Sequence, residues 1–531
     1  MSVMSALIWR PEPFGGASHR MRTWARSAAA SALAAVLLAA PPASGAPIDA
    51  FVRADFEFIR ERLASTAAAL PTDRYPVRTD PSGAWETTGP RYWTSGFFPA
   101  TLWLAHAATG DVALQAQAEA RLAALAAQKR DRSGNDQGFK LLGSFGRGYE
   151  LTGRDRYRRV AVRGAASLAS RFGPAVGATR SWGDRRARRF TVIVDNLMNL
   201  ELLFWAARNG GDPAWHGMAL SHALRTTREH ARRDGSTVQV VDFDRDTGKV
   251  RGKRTRQGRG RRSTWSRGQA WAVYGFTVAY RETGDARLLD AARRTADWFL
   301  ARLPADRVPY WDFDAAGIPD APRDSSAAAV AASGLLELAA LEPDAARAAR
   351  YRTAAEAIIA SLSSDTYLAR DGSTQAILLH GSEDVPRGSF DTGLAFGDHY
   401  FVEALARYLA PPRHPAGPSV AIDSAGTKLV GRRLRATVEV GEPGRVRTAV
   451  LAGRRIARRL RLRGARSAIL GRSRDIADAG ETVVRIRLGK RAASRLRAIG
   501  HGRLTLSAVL ADDRRRASPA SATIRLGRAL D

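Results

Sequence analysis

Residues 268–302, GQAWAVYGFTVAYRETGDARLLDAARRTADWFLAR, decide the fold. Two runs with apolar residues at helical spacing, 268–282 and 286–302, meet at Thr283-Gly284-Asp285. Glycine suits the left-handed turn that closes a helix, and aspartate accepts from the backbone N–H groups that open the next. The punctuation recurs at Thr109-Gly110-Asp111, Thr152-Gly153-Arg154-Asp155 and Gly210-Gly211-Asp212. Around it lie further helical runs at 48–70, 101–108, 114–128, 161–171, 197–207, 217–231, 325–341 and 345–362. A hairpin repeat of roughly 40–70 residues predicts either an open solenoid or a closed helical toroid. The long loops would line one rim, where sites usually lie.

The texture changes at 411–418, PPRHPAGP, which reads as a linker between a helical domain at 47–410 and a second domain at 419–531. In that second domain short alternating runs at 419–422, 434–440, 447–451, 482–488, 503–510 and 523–526 predict a small all-β sandwich with arginine on its outer faces. The net charge is +31, and about +19 of it follows residue 410. Such a domain would contact an anionic glycan or the cell envelope, or else merely reflect a composition biased toward arginine. No basic–aromatic pattern points to nucleic acid. At the other end, Arg20, Arg22 and Arg26 precede an apolar run at 27–40 and small residues up to Ala46. This is the pattern of an export signal over 1–46, with Met21 as an alternative start and a secreted or cell-surface protein as the consequence. No apolar run of about 18 residues follows it, so no membrane span is expected in the mature chain. The chain has no cysteine, which excludes disulfides, thiolate catalysis and cysteine-based zinc sites.

Chemistry concentrates in four segments that mix Trp, Asp, Arg and Gly: 93–103, 135–139, 180–205, and Gln257 with 264–271. Asp195 stands in an apolar run, where an ionised carboxylate is costly and the pKa should rise. A carboxyl that holds its proton near neutrality can serve as a general acid. The same position would equally suit an N-cap of the helix that follows. Asp136 has a similar pair of readings, site acid or turn former before Gly138. Trp rings stack on sugar faces, and Arg pairs with carboxylates. Two acids, several Trp and one Arg therefore suit an acidic sugar, whereas Trp103 and Trp205, on helix faces, read as core packing.

The ordered motifs WTSGFFPATLW, NDQGF, VIVDNLMNLELLFWA, RDGST with VVDFD, and STWSRGQAWAVYG make the chain resemble the unsaturated glucuronyl hydrolases, glycoside hydrolase family 88. RDSSAAA, ILLHGS and GDHYFVEAL continue the likeness, which runs from about residue 74 to 410. The resemblance implies an all-α (α/α)6 toroid, a six-hairpin barrel, with no metal or organic cofactor. It implies hydration of the C4=C5 double bond of an unsaturated uronyl residue at the non-reducing end of lyase-generated oligosaccharides. Asp195 would be the general acid/base, and Asp136 would hold sugar hydroxyls and polarise the site. Trp93, Asn135, Gln239, Gln257, Trp265, Arg267 and Trp271 would line the pocket. Two positions depart from the family pattern: Asn135 and Gln239 stand where histidines are usual. The loop 380–386 carries Glu383 and Asp384 and no lysine, so an unsulfated substrate is expected. The alternatives are an unsaturated rhamnogalacturonyl hydrolase on the same barrel and a non-catalytic carbohydrate-binding surface protein.

Overall fold

The computed structural model describes residues 48–183, 187–410, 419–499, 502–511 and 517–526. The expected export signal and the linker lie outside the described residues.

The helices are α1 (Ile48–Ala69), α2 (Phe97–Thr109), α3 (Val112–Leu125), α4 (Gln137–Leu141), α5 (Arg147–Thr152), α6 (Asp155–Ala169), α7 (Asn196–Arg208), α8 (Ala214–Glu229), α9 (Ser266–Thr283), α10 (Ala286–Leu300), α11 (Ser325–Leu341), α12 (Ala345–Leu362) and α13 (Ala395–Leu409). The glycine–aspartate punctuation works as local chemistry demands. Gly110 and Gly284 take φ of 76° and 62°, while Asp111 and Asp285 accept from the N–H groups of Ala113 (2.8 Å) and Arg287 (3.0 Å). At Gly153 the glycine again closes a helix, but Asp155 falls inside the first turn of α6 and pairs with Arg158 and Arg159 instead of capping.

Burial sorts the helices into two shells. Helices α2, α7, α9, α11 and α13 are buried almost all round, whereas α6, α10 and α12 bury only a stripe. The first kind has no polar face to offer water and must lie inside. The inner ring runs α2, α4–α5, α7, α9, α11, α13 and returns to α2, with α3, α6, α8, α10, α12 and α1 behind it. The ring closes where α13 packs on α2, with the Thr101 hydroxyl 3.3 Å from His399 Nδ1, and the Tyr408 hydroxyl of α13 donates to Asp49 of α1 behind it at 2.7 Å. The fold is thus a helical toroid and not an open solenoid. A buried ion network crosses four consecutive inner helices: Arg281 of α9 bridges Glu201 of α7 and Glu337 of α11, and Arg407 of α13 reaches Glu337 and Glu403.

Among the described residues three small sheets decorate the loops of the helical domain. The strands are β1 (Tyr75–Thr79) with β2 (Trp85–Thr88), β3 (Phe172–Gly173) with β4 (Ala178–Thr179), and a three-stranded sheet of β5 (Arg189–Ile193), β6 (Val240–Asp244) and β7 (Val250–Arg254).

The C-terminal domain corrects the expected sandwich. Its strands are β8 (Val420–Val430), β9 (Arg433–Val440), β10 (Gly444–Ala452), β11 (Ile469–Ala477), β12 (Gly480–Leu488), β13 (Gly502–Ala511) and β14 (Ala517–Leu526), with helices α14 (Arg454–Arg459), α15 (Ala465–Ala468) and α16 (Lys490–Ile499). They form one antiparallel sheet in the order β14-β13-β10-β11-β12-β9-β8. Strand β14 comes back beside β8, so the sheet nearly closes into a barrel. Alternation along each strand buries one face in either architecture, so sequence alone could not separate two packed sheets from one curled sheet.

The domain is docked on the toroid. Arg447 of β10 donates to the carbonyls of Gly211 (2.6 Å) and Ala207 (3.0 Å), a cation at the C-terminal end of α7. Arg472 pairs with Asp212, His216 of α8 meets the Ser521 hydroxyl at 2.8 Å, and Ala449 and Leu451 join the core of the toroid. Among the described residues no helix is long and apolar enough to cross a membrane.

Candidate active site

Asp195 sits where strand β5 hands over to helix α7. The Val194 N–H donates to the Gln239 carbonyl at 2.9 Å, and α7 begins at the next residue but one. Asp195 occupies the N-cap position, yet its side chain makes no capping hydrogen bond, and its Oδ2 is buried without a partner. A buried carboxylate oxygen with no donor is unstable as an anion and suits a protonated acid. Burial accordingly pushes the pKa up to about 7; neighbouring Asp136 adds to this, against Arg267 and Arg256.

Asp136 opens α4 and likewise makes no capping bond. Burial raises it to about 6, against the pull of Lys140 and Arg171. Asn135 donates to its Oδ1 at 3.1 Å, so this amide orients the second acid from the side.

One residue links the two acid-bearing segments. Asn199, one turn along α7 from Asp195, accepts from the N–H groups of Gly138 (2.8 Å) and Phe139 (3.2 Å). A Cβ on Gly138 would stand 2.6 Å from the Asn199 Cα, so only glycine permits this approach. Asn196 does similar work on the other flank, accepting from Ser181 Oγ and donating to the Thr179 carbonyl, both at 2.9 Å. Two amides beside Asp195 were visible in the sequence; their roles as bolts required the tertiary structure.

The aromatic residues divide in two. Trp93 is half-buried and packs against Phe396 (5.0 Å between centroids), Phe139 (5.5 Å) and Phe97 (5.8 Å). Trp271 is buried against Phe139 and Tyr400, and its indole N–H has no partner. Trp265 is buried and lies under the Arg267 guanidinium. Trp103 is fully buried, and Trp205 is buried and donates to Glu150 at 2.9 Å, so both serve packing.

Arg267 is placed deep in the wall. Its NH1 donates to Asp324 (2.7 Å) and the Ser382 carbonyl (2.5 Å), and its NH2 to the Glu383 carbonyl (2.6 Å). Both partners of the Arg267–Asp324 ion pair are buried. These bonds hold the 382–383 loop against the site. Gln239 is similarly engaged. Its Oε1 accepts from Arg256 N (2.7 Å), Gln257 N (3.0 Å) and Thr255 Oγ1 (3.0 Å), and its Nε2 donates to Gln257 Oε1 (2.7 Å). Gln257 in turn donates to the Glu383 carbonyl at 2.8 Å. A chain of amides thus runs from the strand beside Asp195 to the 382–383 loop. Gln239 thereby organises the 255–257 loop.

That loop presents a cation that sequence reasoning did not single out. Arg256 is exposed, its guanidinium lies 5.8 Å from the Trp182 ring centre, and its charge reaches Asp195. The acids of the 380–386 loop, by contrast, are neutralised locally, Glu383 by Arg78 at 2.7 Å and Asp384 by Arg387. The expected repulsion of sulfate therefore loses its electrostatic basis. Among the described residues no group of three or more His, Asp or Glu is arranged to hold a metal.

The geometry has close parallels. The chain is 39% identical over 321 residues to the unsaturated glucuronyl hydrolase of Formosa agariphila, covering 59% of this chain and 79% of that one. It is 36% identical over 360 residues to the unsaturated glucuronyl hydrolase of Bacillus sp. strain GL1, covering 66% of this chain and 95% of that one. The crystal structure of an unsaturated glucuronyl hydrolase specific for heparin superposes with a TM-score of 0.66 at 38% identity, over 68% of this chain and 97% of that one. No family model matches the chain. At 36% identity over 95% of the Bacillus enzyme, and with a solved unsaturated glucuronyl hydrolase superposing over 68% of its length, the chain belongs to the unsaturated glucuronyl hydrolase family.

Proposed function

We propose that this enzyme hydrates the C4=C5 double bond of an unsaturated uronyl residue at the non-reducing end of lyase-generated oligosaccharides and so releases that residue as a ring-opened 4-deoxy-5-keto uronic acid. The observation that carries the reading is Asp195: a carboxyl with one oxygen buried and unpartnered, its pKa about 7, facing a second raised acid. The double bond is a vinyl ether, with the ring oxygen on C5. Asp195 gives its proton to C4, which leaves an oxocarbenium-like centre at C5. Water adds at C5 and returns a proton to Asp195. The hemiketal that results opens, and the glycosidic bond breaks. No second carboxylate is needed as a nucleophile, in contrast to retaining glycosidases. Asp136, lower in pKa, is the acid ionised first and holds sugar hydroxyls. The half-buried Trp93 provides a flat apolar wall for the ring.

The test is the ultraviolet absorbance of the conjugated uronate. Unsaturated chondroitin, hyaluronan and heparin disaccharides should lose it on incubation with the enzyme. Loss only with an unsaturated rhamnogalacturonan disaccharide would move the protein to that activity. Retention of every disaccharide intact would make it a binding protein. The proposal extends to export through residues 1–46, on the strength of the basic and apolar runs there, and to contact between the basic C-terminal domain and anionic glycan or cell envelope. N-terminal sequencing of secreted protein should find a start after Gly45 or Ala46.

A further inference from the structure

The C-terminal sheet carries an arrangement of charge that its own stability disfavours. Strand β9 pairs with β12 so that Arg433 stands opposite Arg487 and Arg435 opposite Arg485. On the flanking strands Lys428 of β8 faces Arg435, and Arg472 of β11 faces Arg487. Residues directly opposite on antiparallel strands project to the same side, so two short rows of cations cross the sheet: Lys428–Arg435–Arg485 and Arg433–Arg487–Arg472. Neighbours within a row are about 4.8 Å apart along the hydrogen-bonding direction, and the rows are two residues apart, about 7 Å. All six side chains are on the exposed face, while Leu434, Ala436, Val484 and Ile486 between them point inward and are buried. Arg472 is tied to Asp212 of the toroid; Arg433, Arg435, Arg485 and Arg487 have no acidic partner among the described residues.

Like charges directly opposite one another destabilise a sheet, and acids were available to relieve them. Instead Glu439 stands opposite Glu481 at the far end of the same two strands. The two signs are segregated along β9 and β12. No Phe, Trp or Tyr occurs after Tyr408, so the domain has no aromatic side chain on which to stack sugar rings, and its exposed arginines favour ionic contact.

We infer that the open face of β8, β9, β12 and β11 is a binding surface for a linear anionic polysaccharide, whose successive carboxylate or sulfate groups bridge the paired guanidinium groups and relieve their repulsion. The choice of polymer rests on the proposed function, because chains of uronic acid yield the oligosaccharides that the toroid would process. The surface would keep the enzyme on the polymer while a lyase cuts it.

The test compares the full chain with the double variant Arg485→Ser/Arg487→Ser, which takes one cation from each row. A control, Arg53→Ser/Arg163→Ser, removes the same charge from exposed positions on α1 and α6. Binding to hyaluronan and heparin chains is measured over a salt series, beside neutral dextran, duplex DNA and anionic lipid vesicles. The expected result is glycan affinity weakened on the order of tenfold and a shallower salt dependence in the first variant only. Its melting temperature should equal or exceed that of the parent, because each lost arginine faced another cation. Activity on unsaturated disaccharide should not change. Equal glycan affinity and salt slope in parent and variant would overturn the proposal, as would tighter binding of DNA or vesicles than of either glycan. Absence of disaccharide activity in all three proteins would refute the catalytic reading without touching the binding result.

Discussion

Replacing Asp195 by asparagine tests catalysis and electrostatics at once. Raising a carboxyl from 3.8 to about 7 amounts to about 4 kcal/mol against the ionised form. The carboxyl is partly open to the cleft, where water screens it, so ~2 kcal/mol is a realistic share. The sign follows from proton counting. Between pH 4 and 7 the folded protein holds a proton that the unfolded chain has released, so the parent loses stability as pH rises through that window and levels off above it. Asparagine does not titrate. The variant should therefore gain on the parent steadily from pH 4 to 7 and keep a constant lead above pH 7, on the order of a few degrees in melting temperature. Activity, followed as loss of the conjugated uronate absorbance, should fall by about 100-fold or more. A stability difference that stays flat from pH 4 to 9 would falsify the buried, protonated acid. Retained activity would show that the proton comes from elsewhere.

The pH profile of kcat/KM should be bell-shaped, falling above about 7 as Asp195 loses its proton and below about 6 as Asp136 gains one; a level profile from pH 5 to 8 counts against the pair. Asn199→Ala removes the acceptor for two N–H groups in the turn that carries Asp136, so stability should drop by about 1–3 kcal/mol and kcat should fall more than KM rises. Unfolding and steady-state kinetics on one preparation separate the two effects. Asp324→Asn leaves Arg267 buried without a counter-charge and should cost about 3–5 kcal/mol, read by denaturant unfolding; a loss under 1 kcal/mol would mean that the 382–383 loop does not depend on that pair.

How much was legible depended on whether a signal was local. Helices α11 and α12 coincide with their expected spans, because an aspartate cap and an uninterrupted run define each from neighbouring residues. Helix α13 and the broken helix α4–α5 went unread as helices. The first opens at Leu394 with no capping side chain to mark its start, and the second is interrupted by Gly143 and Gly146 and a π-turn at Leu142–Gly146. Strand β11, ILGRSRDIA, hid behind its charges. The pairing of β5 with β6, which places Asp195, joins segments about fifty residues apart.

What the sequence by itself determined was the helical hairpin repeat, the switch to β structure after the proline-rich segment, and the family, through motifs long and ordered enough to mark it. Those follow from periodicity, turn chemistry and residue type, which are properties of a few adjacent residues. Closure of the ring, the single curled sheet and the commitments of Gln239 and Arg267 were decided only in three dimensions. Each depends on partners far along the chain: Gln257 and Glu383 for the amide relay, Asp324 for the buried guanidinium. A side chain's residue type says what it can bond, but whether it faces substrate or scaffold is settled by which distant groups the fold brings within 3 Å of it.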